Sequence, residues 1–361
     1  MAAISFARGA PSPDCLDVAL ISDCAVAALA GDGKAILSYG QGGGYGPLRE
    51  LLAERHGVAA SRVFLTVGGL GGFSHFFAVQ LARKPGRVIV EAPTYDRPLK
   101  LLGWAGADVV PIPMDEEGLD LDALEAELER GGEISFLYTI PTFQNPSGRT
   151  LGLARRLRLA ELVERFALDV LEDDPYGLVR YEGETQPHLH ALEGGTRVTF
   201  TSSFSKTAAP GLRVGWFVLP EPLVRGFDDR AVSTTISPPL LPQAIVHELF
   251  ARGAFQPNLE RITGLLCARK DAMLSALARE MPEGVTWSRP EGGYFLWVDF
   301  GAGVDCAAVL ARATEAGVTF VKGTDFFPAG AGGLSSARLA FSYESPERIV
   351  EGVALLAGAL R

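Results

Sequence analysis

Between residues 60 and 220 the chain alternates two patterns. Short runs rich in Val, Ile and Phe are separated by longer stretches whose apolar residues recur at helical spacing. The runs RVFLTV (62–67), RVIVEAP (87–93), ADVVPIP (107–113), ISFLYTIP (134–141), LDVLEDD (168–174), RVTFTSS (197–203) and RVGWFVLP (213–220) are predicted strands. LDALEAELERG and LARRLRLAELVERFA, between them, are predicted helices. Alternation of this kind predicts an α/β fold built on a mainly parallel, doubly wound sheet. In such folds ligands bind beyond the carboxyl ends of the strands.

Past about residue 237 the pattern changes. A long helix over 258–281 leads into the β-rich runs VTWSRP, GYFLWVDF, VTFVKG and ARLAFSY, with helices at 305–316 and 345–361. This predicts a smaller α+β domain. The expected division is a large domain over 36–250 and a small C-terminal domain over 251–361. The segment 1–35 is expected to pack with the small domain.

Composition narrows the class. With 361 residues and 47% apolar, the chain has enough material for a large core. No run of eighteen apolar residues occurs, so no membrane partner is expected. No basic segment leads into an apolar one at the N-terminus, which is the pattern of a cytoplasmic protein. Four widely spaced cysteines fit that compartment and argue against a disulfide framework or a zinc site. The five histidines form no ligand motif, so no metal is expected. A net charge of −10 without a basic run argues against nucleic acid as a partner.

The candidate chemistry gathers at strand ends. Lys206, in FSKTAAPGLRVGW, lies between two predicted strands with Ser203 before it and Arg213 after it. A buried lysine has a lowered pKa and can bond covalently to an aldehyde, while a guanidinium fork matches phosphate. The glycines of TVGGLGGF (66–73) let backbone N–H groups approach an anion where a strand turns into a helix. Asp173 and Tyr176, in EDDPYG, end a strand buried on both faces, and a buried carboxylate needs a cationic or donor partner. Asn145 precedes Pro146 and is held extended; Tyr95 could stack on a flat ring. Taken singly, each has a plain reading: a solvated lysine, a tight turn, a turn-capping aspartate, an Asn-Pro turn, a loop aromatic.

Together and in this order, the segments resemble the fold-type I pyridoxal-phosphate enzymes, and within them the class I/II aminotransferases. The branch with 2-aminoadipate aminotransferases and the C-terminal domains of MocR-type regulators is the most similar. The resemblance runs through YGQGGGYGPLRELLA (39–53), TVGGLGG, EAPTYD, IPTFQNPSG, EDDPYG, SSFSKTAAPGLRVGW, RPEGGYFLW (289–297) and ARLAFSY (337–343). It implies a PLP-dependent aminotransferase acting between an L-amino acid and a 2-oxo acid. Lys206 is the implied Schiff-base lysine and proton shuttle, Asp173 the partner of the pyridine nitrogen, and Tyr176 and Asn145 the contacts of the ring oxygen. Tyr95 is implied to stack on the ring. Ser203, Arg213 and the backbone of Gly68, Gly69 and Leu70 are implied to hold the phosphate. Tyr39 is implied to reach the phosphate of the neighbouring subunit, hence a homodimer, and Arg338 to clamp the substrate α-carboxylate.

The sequence departs from this pattern in places. GGLGG replaces the family's GSQQA phosphate loop, so backbone is expected to hold more of the cofactor. FARGAP replaces FAGGLP and puts Arg8 where a small residue borders the substrate; Lys322 replaces a proline. Arg8 is a candidate for the distal group of a polar substrate, or else a surface residue paired with an acid such as Asp14. Two alternative functions share the fold. One is oxidation, β/γ-elimination or cyclisation of a specialised amino acid. The other is a PLP-sensing regulatory domain, disfavoured by the acidic charge.

Overall fold

Strand segments such as Arg87–Ala92 and Ile134–Thr139 are apolar at successive positions because both faces of their sheet are covered. Val88, Ile89, Val90, Phe136, Leu137 and Tyr138 are all fully buried. Side chains alternate across a strand. Phe136 and Tyr138 therefore pack in one layer, with Phe73, Phe76 and Phe227, while Leu137 packs in the other, with Leu159 and Val163.

The computed structural model describes residues 3–361. In chain order it contains β1 (Ile4–Ser5), α1 (Val18–Ile36), α2 (Gly46–His56), β2 (Val63–Val67), α3 (Gly68–Arg83), β3 (Arg87–Ala92), α4 (Asp96–Trp104), β4 (Val109–Asp115) and β5 (Gly118–Leu119). It continues with α5 (Leu121–Glu129), β6 (Ile134–Thr139), α6 (Leu153–Arg165), β7 (Val170–Asp173), α7 (Leu189–Glu193), β8 (Val198–Ser203), β9 (Val214–Val218), α8 (Glu221–Thr235) and α9 (Leu240–Ala251). Then follow α10 (Phe255–Glu280), β10 (Thr286–Trp287), β11 (Phe295–Asp299), α11 (Cys306–Ala316), β12 (Val318–Thr319), β13 (Val321–Lys322), β14 (Ser336–Ala340) and α12 (Pro346–Leu360).

The main sheet has the order β2-β9-β8-β7-β6-β3-β4-β5. Strands β8, β7, β6, β3 and β4 run parallel, and β9 is antiparallel to both of its neighbours. From β3 the chain adds β4 on one side and later β6 on the other. That reversal of direction opens a crevice at the carboxyl ends of the strands.

The second sheet, β10-β11-β14-β13, is antiparallel and packs with α10, α11 and α12 around a separate core. Of the first 35 residues, Ile4 and Ser5 pair with Val318 and Thr319 beside that core, whereas α1 lies against α9. The strand predicted over 107–113 forms at 109–115. Its Pro111 and Pro113 fit a strand whose outer neighbour is only the two-residue β5.

Candidate active site

The crevice holds a cavity of about 350 Å³. Residues from just after β3, β6, β7 and β8 border it, as do β14 and the N-terminal segment.

Lys206 sits in the turn that follows β8. Its Nζ donates to the carbonyl of Gly9 at 2.8 Å and lies 5.0 Å from the ring of Tyr294 and 5.7 Å from that of Tyr176. Tyr294 in turn donates its hydroxyl to the Lys206 carbonyl at 3.0 Å, fixing the backbone beneath the amine. Burial, then the charges of Arg338 and Arg213, push the Lys206 ammonium down to about 8. More of the amine is then unprotonated near neutrality than for an ordinary lysine, and the unprotonated form is the one that attacks a carbonyl.

Asp173 is the last residue of β7. The hydroxyl of Tyr138, on neighbouring β6, donates to it at 2.8 Å. Burial raises this carboxyl to about 7; the Tyr138 bond opposes the rise, and the charges of Asp174 and Glu91 add to it. No cation pairs with Asp173 among the described residues. A cation placed against it would restore the carboxylate.

Arg213 occupies the left-handed region (φ 54°) at the start of β9, and its guanidinium makes only long contacts, 3.4 Å to the Pro210 carbonyl and 3.5 Å to that of Val67. Gly68 (φ 69°) lies directly under it, and a Cβ there would collide with the guanidinium. Gly215 is equally constrained: its Cβ would lie 2.6 Å from the Gly68 backbone. The two glycines thus form a cradle in which the Arg213 guanidinium lies against the N-terminus of α3. Gly69, Leu70, Ser203 and Ser205 border the cavity at this end. Gly68 does not; it makes room for Arg213 instead.

Arg338 projects from β14, borders the same cavity and is buried. It donates to Asn145 Oδ1 at 3.0 Å and to the Ala7 carbonyl at 2.9 Å, and packs over Phe295 at 4.2 Å. Its Nε is buried without a hydrogen-bond partner. Because the Asn145 oxygen faces Arg338, its amide nitrogen is the atom left to donate elsewhere. The Asn145 loop is braced from below by Gln144, which donates to Glu91 at 2.9 Å and to the Pro93 carbonyl at 2.8 Å. Tyr95 and Tyr176 complete the walls. Burial raises both phenols, Tyr95 to about 12 and Tyr176 well above the ordinary value.

Two candidates lie elsewhere. Arg8 stacks on the ring of Tyr343 at 4.2 Å and does not border the cavity. Asp14, its suggested partner, pairs with Arg269 at 2.6 Å. An aromatic face within reach thus takes Arg8 out of the substrate space. Tyr39 is 84% exposed and does not border this cavity. Sequence reasoning passes over Tyr138, Tyr294, Gly9 and Arg97. For Tyr138 there is a signal: a phenol on a strand buried on both faces must find a partner for its hydroxyl.

Among the described residues no group of side chains could hold a metal ion, and no helix is long and apolar enough to cross a membrane.

Residues 4–341 match the family described as aminotransferase class I and II. The chain is 34% identical to aromatic-amino-acid aminotransferase 1 of Thermococcus litoralis, over 99% of this chain and 88% of that protein. It is 36% identical to 2-aminoadipate transaminase of Thermus thermophilus, over 99% and 90%. A crystal structure of Pyrococcus horikoshii kynurenine aminotransferase, in complex with PMP, superposes with a TM-score of 0.95 at 34% identity, covering 100% of this chain and 91% of that one.

Proposed function

The chain belongs to the class I and II aminotransferases and transfers amino groups, and on that premise we propose that Lys206, Asp173, Arg213 and Arg338 are its working residues. One observation carries the proposal. A single cavity presents the Lys206 amine, pushed down to about 8, and the Asp173 carboxyl, raised to about 7, with Arg213 and Arg338 on its border.

Pyridoxal 5′-phosphate fits these residues. The glycine cradle with Arg213 suits a phosphate, and the cation-less Asp173 suits a protonated ring nitrogen. When bound it supplies an aldehyde that condenses with amines and a ring that accepts the electron pair left at Cα.

This chain's residues do the rest. Ser203, Arg213 and the backbone at Gly69 and Leu70 hold the phosphate. Asp173 keeps the proton on the ring nitrogen, and Tyr138 keeps Asp173 in place. Tyr95 covers the ring, while Tyr176 and the Asn145 amide donate to its oxygen. Arg338 receives the substrate α-carboxylate on a fork whose Nε has no other partner. Lys206 would hold the cofactor aldehyde between turnovers and, once the substrate amine has displaced it, the freed amine would move the proton from substrate Cα to cofactor C4′. Two chains form a homodimer in which Tyr39 of each reaches the phosphate bound by the other; its 84% exposure in one chain supports that role.

The test is amino balance. An L-amino acid and a 2-oxo acid incubated with the purified enzyme should yield the new pair one for one, and Lys206→Ala should abolish the exchange. Consumption of the amino acid without an equivalent of new amino acid would favour elimination or oxidation instead.

A further inference from the structure

A second cavity, of about 220 Å³, lies beside the first. Successive residues of a strand face opposite sides of its sheet, and the ends of β7 and β8 divide between the two spaces in this way. Asp173 borders the active cavity and Asp174 the second. Thr201 and Ser203 border the active cavity, while Phe200 and, just past β8, Phe204 border the second; Ser202 touches both. Arg55 and His56 at the end of α2, Phe250 near the end of α9, and the loop between β7 and α7 enclose the space.

The floor is aromatic. Phe200, Phe204 and Trp216 are buried, and the rings of Phe204 and Trp216 lie 4.7 Å apart. The Trp216 indole N–H donates to His56 Nε2 at 3.1 Å, and burial pushes His56 down to about 4, so this imidazole is neutral at ordinary pH. Rings packed to the usual interior density leave no such gap. This one has the volume of about seven waters, enough for a single ring with a short arm.

The carboxylates of the wall are answered from within the protein. Asp174 accepts from the Gly177 N–H at 2.7 Å and lies 3.5 Å from His188 Nδ1. Behind it Glu172 accepts from the N–H groups of Leu189 and His190 at 2.9 and 2.8 Å. Burial opposes a proton on His188, but the two carboxylates outweigh burial and raise its proton affinity. The cations are less well answered. Arg55 lies 5.1 Å over the ring of Phe250 and forms no ion pair among the described residues. Arg180 gives Nη1 to Glu291 at 3.0 Å; its side chain is only 11% exposed, yet Nε and Nη2 have no hydrogen-bond partner among the described residues. The macrodipole accounts for a cation at the end of α2, but not for unmet guanidinium nitrogens on the covering loop.

An aromatic floor under two incompletely paired guanidinium groups suits a flat ring that carries an anion. We propose that this cavity is a second binding site, for a small aromatic carboxylic acid whose ring rests on Phe200, Phe204 and Trp216 and whose carboxylate is met by Arg55 and Arg180.

The test is calorimetric titration of the holoenzyme with phenylacetate and with 2-phenylethanol, the same skeleton without the charge. Arg338→Ala removes a carboxylate-binding group from the active cavity, so that variant is titrated beside the wild type. Phenylacetate should bind both proteins, at least about fivefold more tightly than 2-phenylethanol. In the Arg338→Ala background, Arg55→Gln together with Arg180→Gln should erase the preference. Leu178→Trp, at a 45% exposed position on the cavity border, should block both probes there. Thermal melts of each variant guard against a folding defect. Phenylacetate binding that is absent, or lost with Arg338→Ala, overturns the proposal, the latter by placing the probe in the active cavity. So does a preference that survives loss of both arginines, or binding that survives Leu178→Trp.

Discussion

Replacing Asp173 by Asn should make the cofactor-free protein more stable above neutral pH while disabling the enzyme. Burial raises the Asp173 carboxyl from 3.8 to about 7 in the folded chain. A raised carboxyl binds more protons folded than unfolded between those two values. Stability contributed by the group therefore falls as pH rises from about 4 and levels off above about 7. A tenfold change in proton affinity corresponds to about 1.4 kcal/mol. The burden of ionised Asp173 on the fold is then about 2 kcal/mol at pH 5 and about 4 kcal/mol at pH 8. The asparagine amide is neutral at every pH, and its oxygen can still accept from Tyr138. The stability difference between Asp173→Asn and wild type, from urea unfolding of cofactor-free protein, should therefore move in favour of the variant by about 2–3 kcal/mol between pH 5 and pH 8. On the proposed reading, the ring nitrogen of a bound cofactor would supply the missing cation. The variant should then lose turnover far more than substrate affinity, because an amide does not hold that proton. A stability difference that does not change with pH would show that Asp173 ionises as in water, and would remove the argument for a cation-binding carboxyl.

Three other substitutions test separate parts of the site. Gly68→Ala places a methyl against Arg213 at φ 69°, and should cost about 1–3 kcal/mol of stability and weaken cofactor retention, read by thermal melts and by cofactor loss on dialysis. Tyr39→Phe should leave the circular dichroism spectrum and the dimer mass intact while speeding cofactor loss; a monomeric, fully active protein would contradict the shared site. Arg8→Ala should cost about 0.5–1 kcal/mol through its lost stacking on Tyr343, and leave the ranking of substrates by kcat/KM unchanged.

The sheet is legible because its central strands are buried on both faces, which writes continuous apolar runs into the sequence. Lys206, Asp173, Asn145 and Tyr95 are legible for a related reason. A doubly wound sheet collects strand ends at one edge, so residues far apart in sequence can be assigned to one crevice before any contact is known. Partners outside that rule are harder to find. Gly9 meets Lys206, and Ala7 meets Arg338, across 197 and 331 positions through backbone carbonyls, which leave no trace in residue type. Arg8 is drawn toward the cavity on paper because FARGAP puts it where the resembled family has a small residue bordering the substrate, and its neighbours Ala7 and Gly9 do border that space. The direction of one side chain, decided by the ring of Tyr343, is not contained in the order of residues.

The most direct test of the central claim is the site of covalent attachment. Purified enzyme should show the visible absorption of lysine-bound cofactor, and borohydride reduction should bleach it and fix the label. After proteolysis, mass spectrometry is expected to find the phosphopyridoxyl group on Lys206, within SSFSKTAAPGLR, and nowhere else. A label on any other lysine, or a reduced protein carrying none, would contradict the account.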